Sequence, residues 1–160
     1  MTAFADSAFA DSAQRRFGGD SVATQDGIES FAVDRAQWRN LIEFAQAQGF
    51  LRFIDLTAVD EPSRADRLEV LVMLYSPAER RWLRLRTRTA ESLPSITPTF
   101  AAANWYEREV FDLFGVRFEG HPDLTRILLP DDYPGHPLRR DHPLGNEPVD
   151  FTVTRQALDP

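Results

Sequence analysis

The sequence predicts an α+β fold in which helices pack on a mixed, largely antiparallel sheet. Two segments, residues 35–48 and 102–114, have the apolar spacing of amphipathic helices, and each is followed by a glycine. Between them lie three strand-like runs joined by short connections, which is typical of antiparallel neighbours. The order is helix, two strands, helix, three strands, helix and an extended tail, which indicates a two-layer domain.

The first part of the chain predicts a short helix and a hairpin. Residues 7–17 are expected to form the helix, which a pair of glycines ends. Two short runs, 21–25 and 28–33, flank the dipeptide Asp26-Gly27, which favours a hairpin turn. These runs should therefore pair as antiparallel strands.

The second helix, over residues 35–48, is the clearest one in the first half of the chain. Asp34 precedes it and has the side chain of an N-cap. The apolar residues recur at the i, i+3, i+4 and i+7 positions of one helical face: Trp38, Leu41, Ile42 and Ala45. Gly49 ends the helix, and the apolar face should pack on a sheet.

Three strands are predicted over residues 50–59, 68–75 and 82–89. In the last of them leucine and arginine alternate, so the arginines should lie on one face: Arg84, Arg86 and Arg88. We expect this to be the solvated face of an edge strand, where charge discourages aggregation. A binding module that captures acidic partners through residues 80–88 is an alternative.

The helix predicted over residues 102–114 has an apolar arc that covers roughly two-thirds of its circumference. Such a helix should lie deep in the core or between the core and a partner. Glu107 and Glu109 project from this arc, and each needs a hydrogen-bond donor if it is buried. Buried ion pairs, to arginines such as Arg126 or to a neighbouring chain, are favoured over a general acid/base pair, because carboxylates at i and i+2 diverge on a helix.

The narrow polar strip of the same helix carries Arg108 and Asp112. Their i, i+4 spacing predicts an ion pair on the helix surface.

Proline dominates the chain after this helix. Residues 130–148 contain five of the eleven prolines and little continuous apolar surface, so the segment should run extended across another surface. The predicted organisation is one domain over residues 1–130 and a partner-binding tail over residues 131–160. The composition also predicts that the tail is not ordered before assembly.

Composition limits the possible functions. The chain has no cysteine, which excludes disulfides and cysteine-ligated iron–sulfur clusters or zinc on this chain. The net charge of −7 argues against nucleic acid as a partner. No apolar run is long enough to span a membrane and no secretory signal is evident, so a cytoplasmic location is expected. Common nucleotide-binding and hydrolase motifs are absent, and no catalytic centre is predicted.

The histidines offer one candidate metal site. Each of the three precedes a proline: His121, His136 and His142. A small metal-dependent hydrolase built on these histidines and the nearby aspartates is therefore an alternative function. However, residues before proline are extended, which spreads the side chains along a strip, and hydrogen bonds to backbone in turns are the favoured interpretation.

The stretch from Trp105 to Leu144 carries a family resemblance. It contains EREVFDLFGV at 107–116, GHPDL at 120–124, RILLPDD at 126–132 and GHPLRRD at 135–141. In order and spacing these segments closely resemble the signature of the thirty-kilodalton subunit of respiratory complex I, the NADH:quinone oxidoreductase. The residues before this stretch resemble the family only in the order of their elements.

The resemblance implies a structural role in a multi-subunit oxidoreductase. Members of this family hold no flavin, cluster or quinone, and their C-terminal tail lies along the large quinone-site subunit. The implied partners are that large subunit and the neighbouring iron–sulfur subunits, while FMN, iron–sulfur clusters and quinone belong to other chains. The implied location is peripheral, on the cytoplasmic face of the plasma membrane. The equivalent subunit of a membrane-bound hydrogenase-type complex is the related alternative.

The resemblance also implies which residues form the subunit interface, while no catalytic, cofactor-binding or metal-binding residue is implied. These signature residues are Glu107, Arg108, Glu109, Asp112, Gly115, Gly120, His121, Pro122, Arg126, Pro130, Asp131, Gly135, His136, Pro137, Arg139 and Asp141.

Overall fold

A five-stranded sheet forms the centre of the computed structural model, which describes residues 8–143. Its strands are β1 (Asp20–Ser21), β2 (Glu29–Ala32), β3 (Arg52–Asp60), β4 (Leu68–Ser76) and β5 (Arg81–Thr89). They lie in the order β1-β2-β5-β4-β3, in which β2 is parallel to β5 and the other neighbours are antiparallel. The predicted α+β class with a mixed, largely antiparallel sheet is therefore confirmed.

The apolar core lies on one face of this sheet. Alternate side chains of β4 are fully buried there: Leu68, Val70, Val72 and Leu74. On β5, Leu83 and Leu85 are also fully buried, while the arginines that alternate with the apolar residues lie on the opposite face. The division into a leucine face and an arginine face is thus confirmed, as the alternation of side chains along a strand requires.

The three predicted helices are present. They are α1 (Ala8–Phe17), α2 (Trp38–Ala47), which a 3₁₀ turn over Arg35–Gln37 precedes, and α3 (Ala103–Phe114). Asp34 caps the 3₁₀ turn, since its carboxylate accepts a hydrogen bond from the amide of Ala36 at 2.9 Å. The predicted apolar face of α2 is completely buried. The first residue of the predicted first helix, Ser7, lies outside the described residues.

The hairpin near the N-terminus differs from its prediction. β1 and β2 are antiparallel, but each strand is short and residues 22–28 form a wider loop than a two-residue turn. Asp26 accepts a hydrogen bond from the amide of Ile28 at 3.1 Å and pairs with Arg84 at 2.6 Å. Its side chain therefore ties the loop to β5, a contact that a local turn pattern does not reveal.

A second, two-stranded sheet was not predicted. Its strands β6 (Ser92–Pro94) and β7 (Arg117–Glu119) are parallel and lie on either side of α3 in the chain. Three residues are too few for alternation to stand out in a sequence. The pair joins the segment that precedes α3 to the segment that follows it.

The arginine face of β5 was wrongly expected on an edge strand, since β5 lies between β2 and β4. Each arginine meets a carboxylate of the same chain: Arg84 pairs with Asp26, Arg86 with Glu69 and Arg88 with Glu61, at 2.6, 2.8 and 2.9 Å. These contacts neutralise the charge that the alternative module would use to capture an acidic partner. The sequence shows the alternation but does not show which distant carboxylates face it.

Within residues 8–143, no helix is long and apolar enough to cross a membrane.

Gly115, the residue after α3, is held in a conformation that suits glycine. Its φ is 78°, and an added Cβ would lie 2.6 Å from the imidazole of His136 and 2.9 Å from the guanidinium of Arg139. Gly18 has a similar φ of 69° but no neighbour within 4 Å of such a Cβ. A comparison of alanine substitutions at the two glycines therefore separates the cost of backbone strain from the cost of a steric clash.

We expect Gly115→Ala to lower the free energy of unfolding by about 3 kcal/mol, because positive φ and a steric clash act together. Gly18→Ala, the matched control, should cost only about 1 kcal/mol, from the backbone alone. Urea unfolding followed by tryptophan fluorescence measures both. Equal losses would show that the contact of Gly115 with the two side chains is unimportant.

Candidate functional site

The carboxylate of Asp112 is fully buried and binds the segment of the chain that follows α3. One oxygen accepts hydrogen bonds from the amides of Ile127, Leu128 and Leu129, at 3.1, 2.8 and 3.0 Å. The other accepts from the guanidinium of Arg126 at 2.9 Å. Burial acts to raise the pKa of this carboxyl, but the amides and the guanidinium outweigh it and hold the pKa below its usual range. Asp112 is therefore an ionised group inside the domain.

Arg126 extends this network along the chain. Its guanidinium also donates to the carbonyls of Tyr133 at 3.2 Å and Gly135 at 3.4 Å. Residues 126–135 are thus folded around one arginine that is itself anchored on Asp112. Residues 121–143, called the covering segment below, contain no helix or strand.

The covering segment also caps the C-terminal end of α3. The last carbonyls of a helix have no partner within the helix. Three donors of the segment bind three consecutive carbonyls of α3. His136 Nδ1 donates to the carbonyl of Asp112 at 2.8 Å, and the Leu138 amide donates to the carbonyl of Leu113 at 3.1 Å. Arg139 Nε donates to the carbonyl of Phe114 at 2.6 Å. The positive charge of Arg139 also suits the negative end of the helix dipole.

A third tie connects the covering segment to the end of β3. Asp60 is buried and accepts from Arg67 Nε at 2.7 Å and from the amide of Arg140 at 2.8 Å. Arg67 in turn pairs with Asp141 at 2.6 Å. The hydrogen bond from Arg67 holds the pKa of Asp60 below its usual range. Both ends of the covering segment are therefore fixed to the domain.

Glu107 is also fully buried, but in a different environment. It accepts hydrogen bonds from the hydroxyl of Ser95 and the amide of Ile96, both at 2.7 Å, and no arginine of the described residues pairs with it. Burial raises the pKa of Glu107 to about 7, although the two hydrogen bonds oppose this effect. Near neutral pH this carboxyl is consequently close to the midpoint of its titration.

His121 lies beside Glu107, with 4.0 Å between its Nε2 and a carboxylate oxygen, and both side chains are shielded from solvent. Its Nδ1 accepts from the amide of Asp123 at 3.0 Å, so the proton is on Nε2, which donates to the carbonyl of Asn104 at 3.2 Å. This ring therefore joins the start of the covering segment to the first turn of α3.

The other two histidines are also engaged in hydrogen bonds, although not with the backbone of turns. His142 Nε2 lies 3.2 Å from the hydroxyl of Tyr133, and His136 is bound to a helix carbonyl. Among the residues that the structure describes, no three histidine, aspartate or glutamate side chains are grouped so that they could hold a metal ion.

Comparison with known proteins places the chain in a family. The sequence model of the family described as "Respiratory-chain NADH dehydrogenase, 30 Kd subunit" matches residues 31–148, which is most of the chain. This chain belongs to that respiratory-chain family.

Individual relatives agree with this assignment. The C subunit of an NADH-quinone oxidoreductase, from Chelativorans sp. (strain BNC1), is 48% identical over 97 residues, which are 59% of this chain and 48% of that protein. The chain spans about half of the length of such relatives.

Two solved structures have the same fold. A trypsin-resistant fragment of Nqo5 matches 71% of this chain and 95% of its own length, with a TM-score of 0.64 and 30% identity. A chain of an archaeal membrane-bound sulfane sulfur reductase matches 75% of this chain and 73% of its own length, with a TM-score of 0.65 and 23% identity, and this likeness concerns the fold alone.

The signature residues of this family lie on α3 and on the segments that follow it. Their contacts differ from three sequence-based expectations. Glu109 is exposed rather than part of a buried arc, and Arg126 pairs with Asp112 rather than with a glutamate. Arg108 and Asp112 do not pair, because Arg108 donates to the carbonyl of Thr125 at 3.0 Å. The covering segment buries the side of α3 that a helical wheel shows as polar.

The remaining signature residues include several that are displayed on the surface. Exposed among them are Gly120, Pro122, Pro130 and Asp131, while Pro137 is half-buried. Sequence reasoning missed Asp60, Arg67 and Ser95, which stabilise the same region from other elements. No local pattern marks them, because their partners are distant in the chain.

The boundary predicted at residue 130 stays a prediction. Residues 131–143 lie against α3 and the end of β3 through the contacts given above. Residues 144–160, which include the rest of the predicted tail, lie outside the described residues. The assignment of the signature residues to a subunit interface also stays a prediction.

We expect Glu107→Gln to change how stability depends on pH. The folded-state pKa of about 7 lies above the ordinary value of 4.5, so the folded protein binds the proton more tightly, and wild-type stability should fall as pH rises from 4.5 through 7. The size of this loss is up to about 3 kcal/mol. The glutamine carries no charge, its Oε1 can accept from the Ile96 amide and its Nε2 can donate to the Ser95 hydroxyl, so its stability relative to wild type should increase between pH 5 and pH 8.

Urea unfolding at several pH values measures this effect. Glu109→Gln is the matched control, because Glu109 is exposed on the same helix and should leave the pH profile unchanged. Parallel profiles for wild type and Glu107→Gln would contradict the prediction.

Proposed function

We propose that this chain is a non-catalytic subunit in the peripheral arm of a proton-translocating NADH:quinone oxidoreductase. In this role it holds the quinone-site subunit and the cluster-bearing subunits together, and so supports electron transfer from NADH to quinone. The family assignment supports this proposal. The observation that carries the structural role is the buried carboxylate of Asp112, which holds the signature segment as a fixed surface on the domain.

The chemistry of the chain supports a structural role. It has no cysteine, so any iron–sulfur cluster with cysteine ligands must belong to another chain. The buried polar groups of the site are engaged with backbone amides, carbonyls and arginines, as a fixed surface requires. FMN, iron–sulfur clusters and quinone are accordingly assigned to neighbouring subunits.

The partners in this proposal are the large quinone-site subunit and the neighbouring iron–sulfur subunits. The chain would be peripheral, on the cytoplasmic face of the membrane, and attached through these subunits. Residues 131–143 of the covering segment belong to the predicted partner-binding tail.

The test is to tag this chain in its native membranes, extract it with a mild detergent and identify the proteins and cofactors that accompany it. A quinone-site subunit, iron–sulfur subunits and an NADH-binding flavoprotein with bound flavin and iron are expected. Hydrogenase subunits in their place would assign the chain to a hydrogenase-type complex. Recovery of a lone monomer would overturn the proposal.

In the same cells, Arg126→Gln should reduce the amount of assembled complex. Loss of this arginine leaves the buried Asp112 charge without its ion pair, which costs about 3 to 5 kcal/mol. NADH:quinone activity per assembled complex should remain normal. Native gels and activity assays measure the two quantities separately.

The matched control is Arg117→Gln. Arg117 forms an exposed ion pair with Glu91 at 3.6 Å, and such pairs contribute little to stability. A fully assembled, normally abundant Arg126→Gln complex that fails to reduce quinone would contradict a purely structural role.

A further inference from the structure

Four carboxylates on and beside α3 have no ion-pair partner within residues 8–143. Glu109 faces solvent from the helix, and the covering segment exposes the other three: Asp123, Asp131 and Asp132. None of these side chains forms an ion pair among the described residues. Like charges that accumulate on one surface are unfavourable for an isolated domain, because they repel each other.

Within the described residues, the arginines of this region form no ion pair with these four carboxylates. Arg126 is directed to Asp112, and Arg139 donates to the carbonyl of Phe114. Arg108 donates to the backbone of Thr125. Arg108 keeps its positive charge, but this one cation stands against four carboxylates, so the surface has an excess of negative charge, which is complementary to a positively charged partner.

Trp105 stands on the same surface and is 63% exposed. The guanidinium of Arg108 lies 5.0 Å from the centre of its ring. Three hydrogen bonds hold that guanidinium: to the carbonyl and the hydroxyl of Thr125 at 3.0 and 2.9 Å, and to the carbonyl of Arg126 at 3.1 Å. The indole is thus preorganised, so it loses less conformational entropy when it enters a partner's pocket.

These groups lie along α3. Arg126 holds the turn that carries Asp131 and Asp132 beside Asp112. His121 holds Asp123 beside the first turn of the helix.

Trp105 and Glu109 are neighbours on the exposed side of α3, since they are separated by one helical turn. Leu128 is 60% exposed, and its amide is bound by Asp112 on the adjacent side of the same helix. We call the surface formed by Trp105, Glu109, Leu128 and the three aspartates the acidic face.

The outer face of the five-stranded sheet is the main competitor. It exposes Trp82 by 44%, but that ring packs on Tyr75 with 4.9 Å between the ring centres. The arginines beside it are already paired with carboxylates of the same chain. This face therefore lacks the two features that favour docking, an isolated exposed ring and an excess of charge.

We propose that the acidic face docks a partner subunit whose contact surface presents arginine or lysine side chains around an apolar pocket. Trp105 fills the pocket, and the carboxylates of the acidic face meet the surrounding cations. A second copy of this chain does not fit, because two acidic faces repel each other. This inference rests on the proposed function, since it describes the contact chemistry of one neighbouring subunit.

The test compares Trp105→Ala with Trp82→Ala, each in the full chain purified with its complex from native membranes. Both residues are exposed, so the thermal midpoint of either isolated chain should change little. Loss of the central tryptophan should accelerate dissociation of the partner on the order of 30-fold. Trp82→Ala, the matched control, should release the partner at the wild-type rate.

A charge variant tests the second half of the inference independently. In Asp131→Asn/Asp132→Asn the partner should dissociate at a lower salt concentration than in wild type, because part of the electrostatic attraction is missing. Asp20→Asn/Asp55→Asn is the control, since it removes the same charge from exposed positions on other elements.

The outcomes separate this inference from the function on which it rests. If wild-type chain recovers no other subunit, the proposed function is wrong and the inference is wrong with it. If wild type recovers its partners and both test variants retain them as the controls do, the function stands and the docking face is wrong. Selective loss in Trp82→Ala would place the contact on the sheet and overturn the inference.

Discussion

The structure after α3 depends on one buried negative charge. None of the apolar side chains of the covering segment is fully buried, so hydrophobic burial contributes little to its order. The carboxylate of Asp112 instead gathers three consecutive amides and one guanidinium, and hydrogen bonds to a charged group stabilise more than neutral ones. A proline-rich segment thereby obtains a defined position through polar contacts with a helix that the hydrophobic core already holds in place.

The contacts of this segment are reciprocal. The helix supplies the carboxylate that orders the segment. The segment in turn donates hydrogen bonds to the three free carbonyls at the end of the helix. Gly115 lets the chain turn there, and the absence of a side chain leaves room for His136 and Arg139. Helix termination and the order of the segment therefore depend on the same contacts.

The pKa values of two buried carboxylates on α3 are shifted in opposite directions. Asp112 stays ionised because an arginine and three amides compensate for its burial, whereas Glu107 has two donors and a raised pKa. The first resembles a fixed ionic anchor and the second a group that exchanges a proton near neutral pH. Their neighbours, not their residue type or their position in the family signature, decide the difference.

Local periodicity in the sequence determined the helices, the three long strands and the arginine and leucine faces of β5, because these features depend on neighbours a few residues away. The family signature was likewise recognisable from the order and spacing of residues 105–144. Only the tertiary structure decided that β2 joins β5 in parallel, that Arg126 meets Asp112 and that Glu109 stays in solvent. A helical wheel shows which residues share a side of α3, but the burial of that side depends on which distant segment reaches it.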